Sequence, residues 1–189
     1  MLAQAFPEAQ ITALEINEGA LLDAQYNIKQ SPFAHRIELL KQDFLSYKPS
    51  EAFDLIVSNP PYFSATGAIA PDGGRALARQ EQSEGLNLVR LMNLSQAMLS
   101  RQDGSSLCLI TPLDREMDLR LYACEAGLRS QSLCRVSSLP NKGVRLLSSW
   151  THLELSSAYC RSDISELTLH KSDQTPSQAY ADLLSPFLP

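Results

Sequence analysis

The stretch FDLIVSNPPY, Phe53 to Tyr62, decides how this chain is to be read. A mainly apolar run from Phe53 to Val57 stops at Ser58, and Asn59-Pro60-Pro61-Tyr62 follows at once. Neither proline carries an N–H for a strand ladder, so a buried strand must end here. Each proline also restricts the residue before it to extended backbone, which holds Asn59 and Pro60 in place. A core strand that ends in a stiff polar corner belongs to a sheet whose strand ends face a ligand.

Outward from this corner, short apolar runs alternate with longer amphipathic ones, the pattern of an α/β sheet with crossover helices. The pattern predicts strands at Ile11–Ile16, Ile37–Lys41, Phe53–Val57, Ser106–Thr111 and Leu133–Leu139, and a last one around Thr151–Ser157. Thr151–Ser157 alternates most cleanly, as an antiparallel strand near an edge would. Helices are expected at Gly19–Gln30, Asn87–Arg101 and Glu116–Ala126, with a short one at Ser177–Leu184. The first strands are apolar on both faces, as in a parallel sheet covered by helices. Without repeats or a long linker, 189 residues make one domain, residues 1–189. The connection from Ser64 to Gly85 holds four glycines and little apolar periodicity. Its length and its start beside the Asn-Pro-Pro-Tyr corner predict a lid or substrate loop.

Composition narrows the function classes. No apolar run approaches the roughly 18 residues of a membrane span, and no signal-peptide pattern is visible. Cys108, Cys124, Cys134 and Cys160 form no CxxC pair. That spacing argues against a zinc site or a disulfide framework and suits the cytoplasm. His35, His152 and His170 show no ligand spacing, so no metal is expected. A net charge of -5 disfavours indiscriminate nucleic-acid binding. Yet Ala126 to Leu153 contains Arg129, Arg135, Lys142 and Arg145 and no acidic residue. The run is either a solvated basic loop or a local phosphate-binding patch.

The first three predicted strands end in polar groups suited to a strand-end crevice: Glu15, Asp43 followed by Phe44, and Asn59. A carboxylate accepts only, through two oxygens, so Glu15 suits the two hydroxyls of a ribose. Asp43 suits an adenine amino group, with Phe44 against the ring. The Asn59 amide and the Pro60 carbonyl are two fixed acceptors, the pair that a conjugated –NH₂ group requires. Bonds to both hydrogens draw the nitrogen lone pair out of conjugation and toward an electrophile. Tyr62 supplies a face for a base, worth about 1–3 kcal/mol in stacking.

With these residues in hand, the chain resembles a class I S-adenosylmethionine-dependent methyltransferase carrying the NPPY motif of amino-group methylators. ALEINEGALLDAQYNIKQSPFAHRI, SNPPYF and ARQEQ…LNLVRLM are most similar to the bacterial tRNA-valine adenine N(6)-methyltransferases. The similarity runs from about Met1 to Trp150. It implies a Rossmann-like sheet with helices on both faces. It also implies S-adenosylmethionine held by Glu15, Asp43, Phe44 and Asn59. Asn59, Pro60, Pro61 and Tyr62 would orient an adenine beside the anticodon of valine tRNA, extruded from its stack. Arg79, Lys142 and Arg145 would face RNA. Where the family carries Ala-Arg-His after the loop, this chain reads Ala78-Arg79-Gln80.

The family opens its sheet with a strand and a Gly-rich turn, whereas MLAQAFPEAQ reads as the end of the helix after that turn. The expectation is a shortened member, a partial domain lacking the first strand and the Gly-rich turn. Three alternatives share the chemistry or the fold: a protein-glutamine methyltransferase acting on release factors, a ribosomal RNA base methyltransferase, and a non-catalytic remnant.

Overall fold

The computed structural model describes residues 1–60, 86–140, 143–155 and 163–187. The chain forms two compact units, Met1–Lys48 with Leu184–Pro189, and Pro49–Leu183.

The first unit is a strand–helix–strand motif behind a short helix. Helix α1 spans Leu2–Ala5, strand β1 Ile11–Glu15, helix α2 Glu18–Gln30 and strand β2 Ile37–Lys41. Strands β1 and β2 are parallel and in register from Ile11↔Ile37 to Glu15↔Lys41. Helix α2 starts where it does because the Asn17 side chain accepts from the Ala20 N–H at 3.0 Å. Glu18 in its first turn and Lys29 in its last complement the helix dipole. It stops at Ser31, which Pro32 biases toward the extended backbone it adopts (φ -80, ψ 140). The Arg36 guanidinium collects three carbonyls, those of Ala3 at 2.5 Å and of Phe6 and Ala9 at 3.0 Å each. It also lies 5.4 Å from the centre of the Phe33 ring. One side chain thus satisfies the end of α1 and the turn into β1 together.

The second unit is a five-stranded mixed sheet. Its strands are β3 (Leu55–Ser58), β4 (Ser106–Pro112), β5 (Leu128–Ser137), β6 (Gly143–His152) and β7 (Asp163–Thr168). Their order is β3-β4-β6-β5-β7. Strand β4 runs parallel to β3, β6 runs antiparallel to both β4 and β5, and β7 runs parallel to β5. Helices α3 (Leu88–Met98) and α4 (Glu116–Glu125) follow β3 and β4, and α5 (Gln178–Leu184) comes last.

The core follows from strand alternation. Leu107, Leu109 and Thr111 of β4 lie opposite Trp150, Ser148 and Leu146 of β6, and all six are buried. Leu91, Met92, Ser95 and Met98 of α3 are buried at helical spacing, as are Leu119, Tyr122 and Ala123 of α4. Residues one step along the strands face the other way, and Val57 and Ile110 are exposed there. His152 closes the end of β6: its Nε2 lies 3.1 Å from the Leu99 carbonyl, with the ring buried.

Four readings of the sequence shift. The strand expected at Leu133–Leu139 begins at Leu128 and ends at Ser137. Of the strand expected around Thr151–Ser157 only Thr151 and His152 are strand, as the end of β6, Gly143–His152, which sits between β4 and β5 rather than at an edge; Leu153–Leu155 form a 3₁₀ turn instead. Residues 156 and 157 lie outside the described residues. The edge position goes to β7, a stretch for which the sequence pattern predicts no element. Its residues Asp163 to Glu166 are exposed and so lack an alternating apolar signal. Phe53 makes an isolated bridge with Leu99, and β3 proper begins at Leu55.

Helix α4 is tied to the sheet by charge. Glu116 Oε2 accepts from Arg135 Nε of β5 at 3.1 Å, and Oε1 accepts from Arg135 Nη2 at 3.2 Å and Arg120 Nη2 at 3.1 Å. The Glu116 side chain is only 14% exposed. Its carboxyl is held below the ordinary value of 4.5, chiefly by the Arg135 hydrogen bond. A carboxyl lowered on folding adds stability that is complete above its unfolded value and disappears as pH falls through its folded one. The melting-temperature gap between wild type and Glu116→Gln should therefore be full above about pH 4.5 and close below it. A gap unchanged down to pH 2–3, about two units below the ordinary carboxylate range, would remove the ion pair from the stability of this unit.

Candidate functional site

The first unit places two acids at one sheet end. Glu15 is the last residue of β1, and its Oε1 accepts from the Asn17 N–H at 2.7 Å. Its own carbonyl accepts from Gln42 N at 3.2 Å, which carries the β1–β2 pairing one step past Lys41. Asp43 comes next, with Oδ1 accepting from Leu45 N at 2.9 Å and its carbonyl from Ser46 N at 3.1 Å. Gln42 Nε2 donates to Ser46 Oγ at 2.8 Å and secures the same turn. Glu15, Asp43 and Phe44 are all half-buried. Each carboxylate is thus oriented by a backbone N–H two residues on, with lone pairs to spare. Two oriented acceptors beside an aromatic ring fit a nucleoside, which offers a hydroxyl pair, an amino group and a flat face. These acceptors suit the nucleoside half of S-adenosylmethionine.

In the second unit, Asn59 follows directly on β3, with its side chain exposed, and Pro60 is buried. The strand ends at the first proline corner, as the missing N–H demands. Pro61, Tyr62 and Arg79 lie outside the described residues, as does the whole Ser64–Gly85 connection.

The basic run from Arg129 to Arg145 is neither a loop nor one patch. Arg129 pairs with Thr151, at the end of the sheet away from Asn59. Arg135 is engaged by Glu116. Lys142 lies outside the described residues. Arg145, opposite Pro112, stands at the carboxyl end of β4 because β6 runs antiparallel to it. That is the edge at which β3 presents Asn59, two strands away in the order β3-β4-β6. At about 4.8 Å per strand, the two backbones are about 10 Å apart across the sheet. Arg145 is exposed, and its Nη1 donates to the Val144 carbonyl at 2.9 Å. A Cβ at Gly143 beside it would come within 2.6 Å of Leu113 Cδ2, so the end of that side chain would have to shift. The start of β6 is therefore seated against the 3₁₀ turn Leu113–Arg115 that follows β4.

Sequence reading missed Asn17 and Glu116 as organising residues. Asn17 carried a signal, an N-capping residue ahead of a helical period. For Glu116 the i,i+4 relation to Arg120 was readable, but the partner that ties it to the sheet, Arg135, lies nineteen residues away and left no local signal. Among the described residues no group of three or more His, Cys, Asp or Glu could hold a metal ion. No helix among them is long and apolar enough to cross a membrane.

Comparison with known proteins supplies the frame for this geometry. Residues 1–81 match the model of the methyltransferase small domain family. The tRNA1(Val) (adenine(37)-N6)-methyltransferase of Porphyromonas gingivalis W83 is 40% identical over 99% of this chain and 73% of its own length. The protein of the same name from Vibrio campbellii is 33% identical over 92% of this chain and 69% of its own. Among solved structures, a protein from Agrobacterium tumefaciens described as a predicted O-methyltransferase superposes with a TM-score of 0.67. That match covers 98% of this chain and 81% of that one at 18% identity. A class I S-adenosylmethionine-dependent methyltransferase structure from Listeria monocytogenes gives 0.58 at 12% identity, over 93% of this chain and 54% of that one. At such identities these structures speak for the fold: an α/β class I methyltransferase fold.

Proposed function

We propose, because this chain belongs to the family of tRNA1(Val) (adenine(37)-N6)-methyltransferases, that it methylates N6 of the adenine beside the anticodon of valine tRNA. The observation that carries this reading is Asn59-Pro60 at the carboxyl end of β3 in a chain matching that family over nearly its whole length. S-adenosylmethionine, when bound, supplies an electrophilic methyl group. Glu15 receives the ribose hydroxyls, and Asp43 with Phe44 receives the adenine of the cofactor. Asn59 holds the target. Its amide oxygen and the Pro60 carbonyl accept the two N6 hydrogens, which turns the nitrogen lone pair outward. Pro61 fixes Pro60, and Tyr62 stacks on the extruded base. No strong general base is needed, since the proton leaves after the nitrogen has become cationic.

The names of the relatives favour tRNA over a protein amide or ribosomal RNA as substrate. The described cysteines, Cys108, Cys124 and Cys134, are free thiols, which fits a reducing cytoplasm. The deciding experiment incubates the purified chain with S-adenosylmethionine and a valine tRNA transcript, followed by nucleoside analysis. N6-methyladenosine at the base beside the anticodon is the expected product. Label in a protein amide or in ribosomal RNA alone, or no transfer at all, would overturn the reading.

Arg145, with Arg79 and Lys142, takes the RNA backbone in this reading. Arg145→Glu should weaken tRNA binding and flatten the dependence of log K on log salt by about one unit, the contribution of one phosphate contact. An unchanged slope in filter-binding titrations would show that Arg145 meets no phosphate.

A further inference from the structure

We propose that Glu18 is a positioning residue for cofactor recognition: by holding the Lys41 ammonium, it keeps the Glu15 carboxylate open to ribose hydroxyls. The inference rests on the reading of Glu15 given above and adds residues to it. The parallel register sets Lys41 directly opposite Glu15, so the two side chains leave the sheet on the same face. Opposite charges in that relation attract each other across a strand pair. A Glu15–Lys41 ion pair is therefore the default arrangement, and it would be a poor one for a ribose site. One oxygen of Glu15 already accepts from the Asn17 N–H. A lysine ammonium with three donors on the remaining lone pairs would compete with the incoming hydroxyls.

The structure shows a different partner. Lys41 Nζ lies 2.9 Å from Glu18 Oε1. Glu18 is the first residue of α2, immediately after the Asn17 cap, so its backbone is fixed by the same cap that orients Glu15. A carboxylate at a helix N-terminus is also favoured there by the dipole. The Lys41 and Glu18 side chains are 55% and 78% exposed, a setting in which an ion pair adds little to stability. Its effect lies in where it puts the lysine.

The test is calorimetric titration of the full chain with S-adenosylhomocysteine, for wild type, Glu15→Gln, Glu18→Gln, Lys41→Met and the Glu18→Gln/Lys41→Met double variant. Glu18→Gln should weaken binding by about two- to fivefold at low salt, the range an exposed ion pair commands. That loss should shrink at about 0.5 M salt, where exposed charges are screened. Lys41→Met alone should bind within twofold of wild type, about the smallest effect expected of an exposed pair. Added to Glu18→Gln, it should restore affinity. A merely structural role for Glu18 would not be rescued by removing the lysine. Unchanged binding in Glu18→Gln, or a double variant no better than the single one, overturns the proposal. If Glu15→Gln binds as tightly as wild type, or the wild-type chain does not bind, the ribose reading itself fails. If Glu15→Gln is weakened and Glu18→Gln is not, only the role of Glu18 fails.

Discussion

Replacing Asn59 with alanine is expected to cut methyl transfer to tRNA by on the order of 10²–10³, the loss typical of one preorganised polar contact to the reacting group. Asn59 follows the last residue of β3 and precedes a buried proline, so the backbone on both sides is held. The amide therefore loses little further freedom when it meets the substrate, and its contact is realised on the reacting nitrogen. Alanine keeps the strand and the proline corner but removes the acceptor. The loss should fall mainly on turnover, with S-adenosylhomocysteine affinity only modestly weakened. Asn59→Asp retains an acceptor oxygen and should keep more activity than Asn59→Ala. Single-turnover transfer from S-adenosylmethionine to a valine tRNA transcript is the measurement. A rate within tenfold of wild type for Asn59→Ala would sink the assignment of Asn59 to the target amino group.

Trp150→Ala should destabilise the second unit by about 3–5 kcal/mol, the usual range for deleting a large buried aromatic side chain. Trp150 is 1% exposed on β6, opposite Leu107 of β4 and Ser130 of β5. Its ring therefore fills the sheet at its middle strand, and its Nε1 donates to Ser148 Oγ at 2.9 Å. Truncation opens a cavity bounded by strands on both sides and removes one of two partners of the buried Ser148 hydroxyl, which also donates to the Leu109 carbonyl at 3.5 Å. Ile164→Ala on edge strand β7, where the side chain is 56% exposed, is the comparison and should change stability by less than about 1 kcal/mol. Urea unfolding of both variants separates the cases. A Trp150→Ala cost no larger than that of Ile164→Ala would mean that β6 is not the centre of the core.

Much of the candidate site was legible because its signals are local. The proline pair ends a strand wherever that strand lies, so Asn59 was placed at a strand end from its neighbours alone. The β1–α2–β2 motif reads from apolar and amphipathic runs within thirty-one residues, Ile11 to Lys41, and the structure returns β2 with the expected bounds. Glu15 and Asp43 follow from the same local count, because both are the first acids at the ends of their runs. Helix α4 was likewise visible from its period, to within one residue.

The order of strands was not legible, because alternation reports which face of a strand is buried and not which strand lies beside it. Most of β6, Gly143 to Trp150, falls outside every strand the pattern predicts, and only pairing with β4 and β5 makes it central. Strand β7 has almost no apolar signal, since an edge strand exposed on its first four residues needs none. The basic run shows the same division for charge. Four cations close in sequence were visible as one cluster, yet the sheet sends Arg129 to one end and Arg145 to the other, and gives Arg135 to Glu116. So too with Lys41, whose partner is Glu18 rather than the facing Glu15 because helix α2 begins where it does. The sequence by itself determined where strands stop and which residue types stand at their ends, because those depend on the backbone chemistry of near neighbours. The tertiary structure alone decided which charges meet and which strand is central, because both depend on segments brought together only by packing.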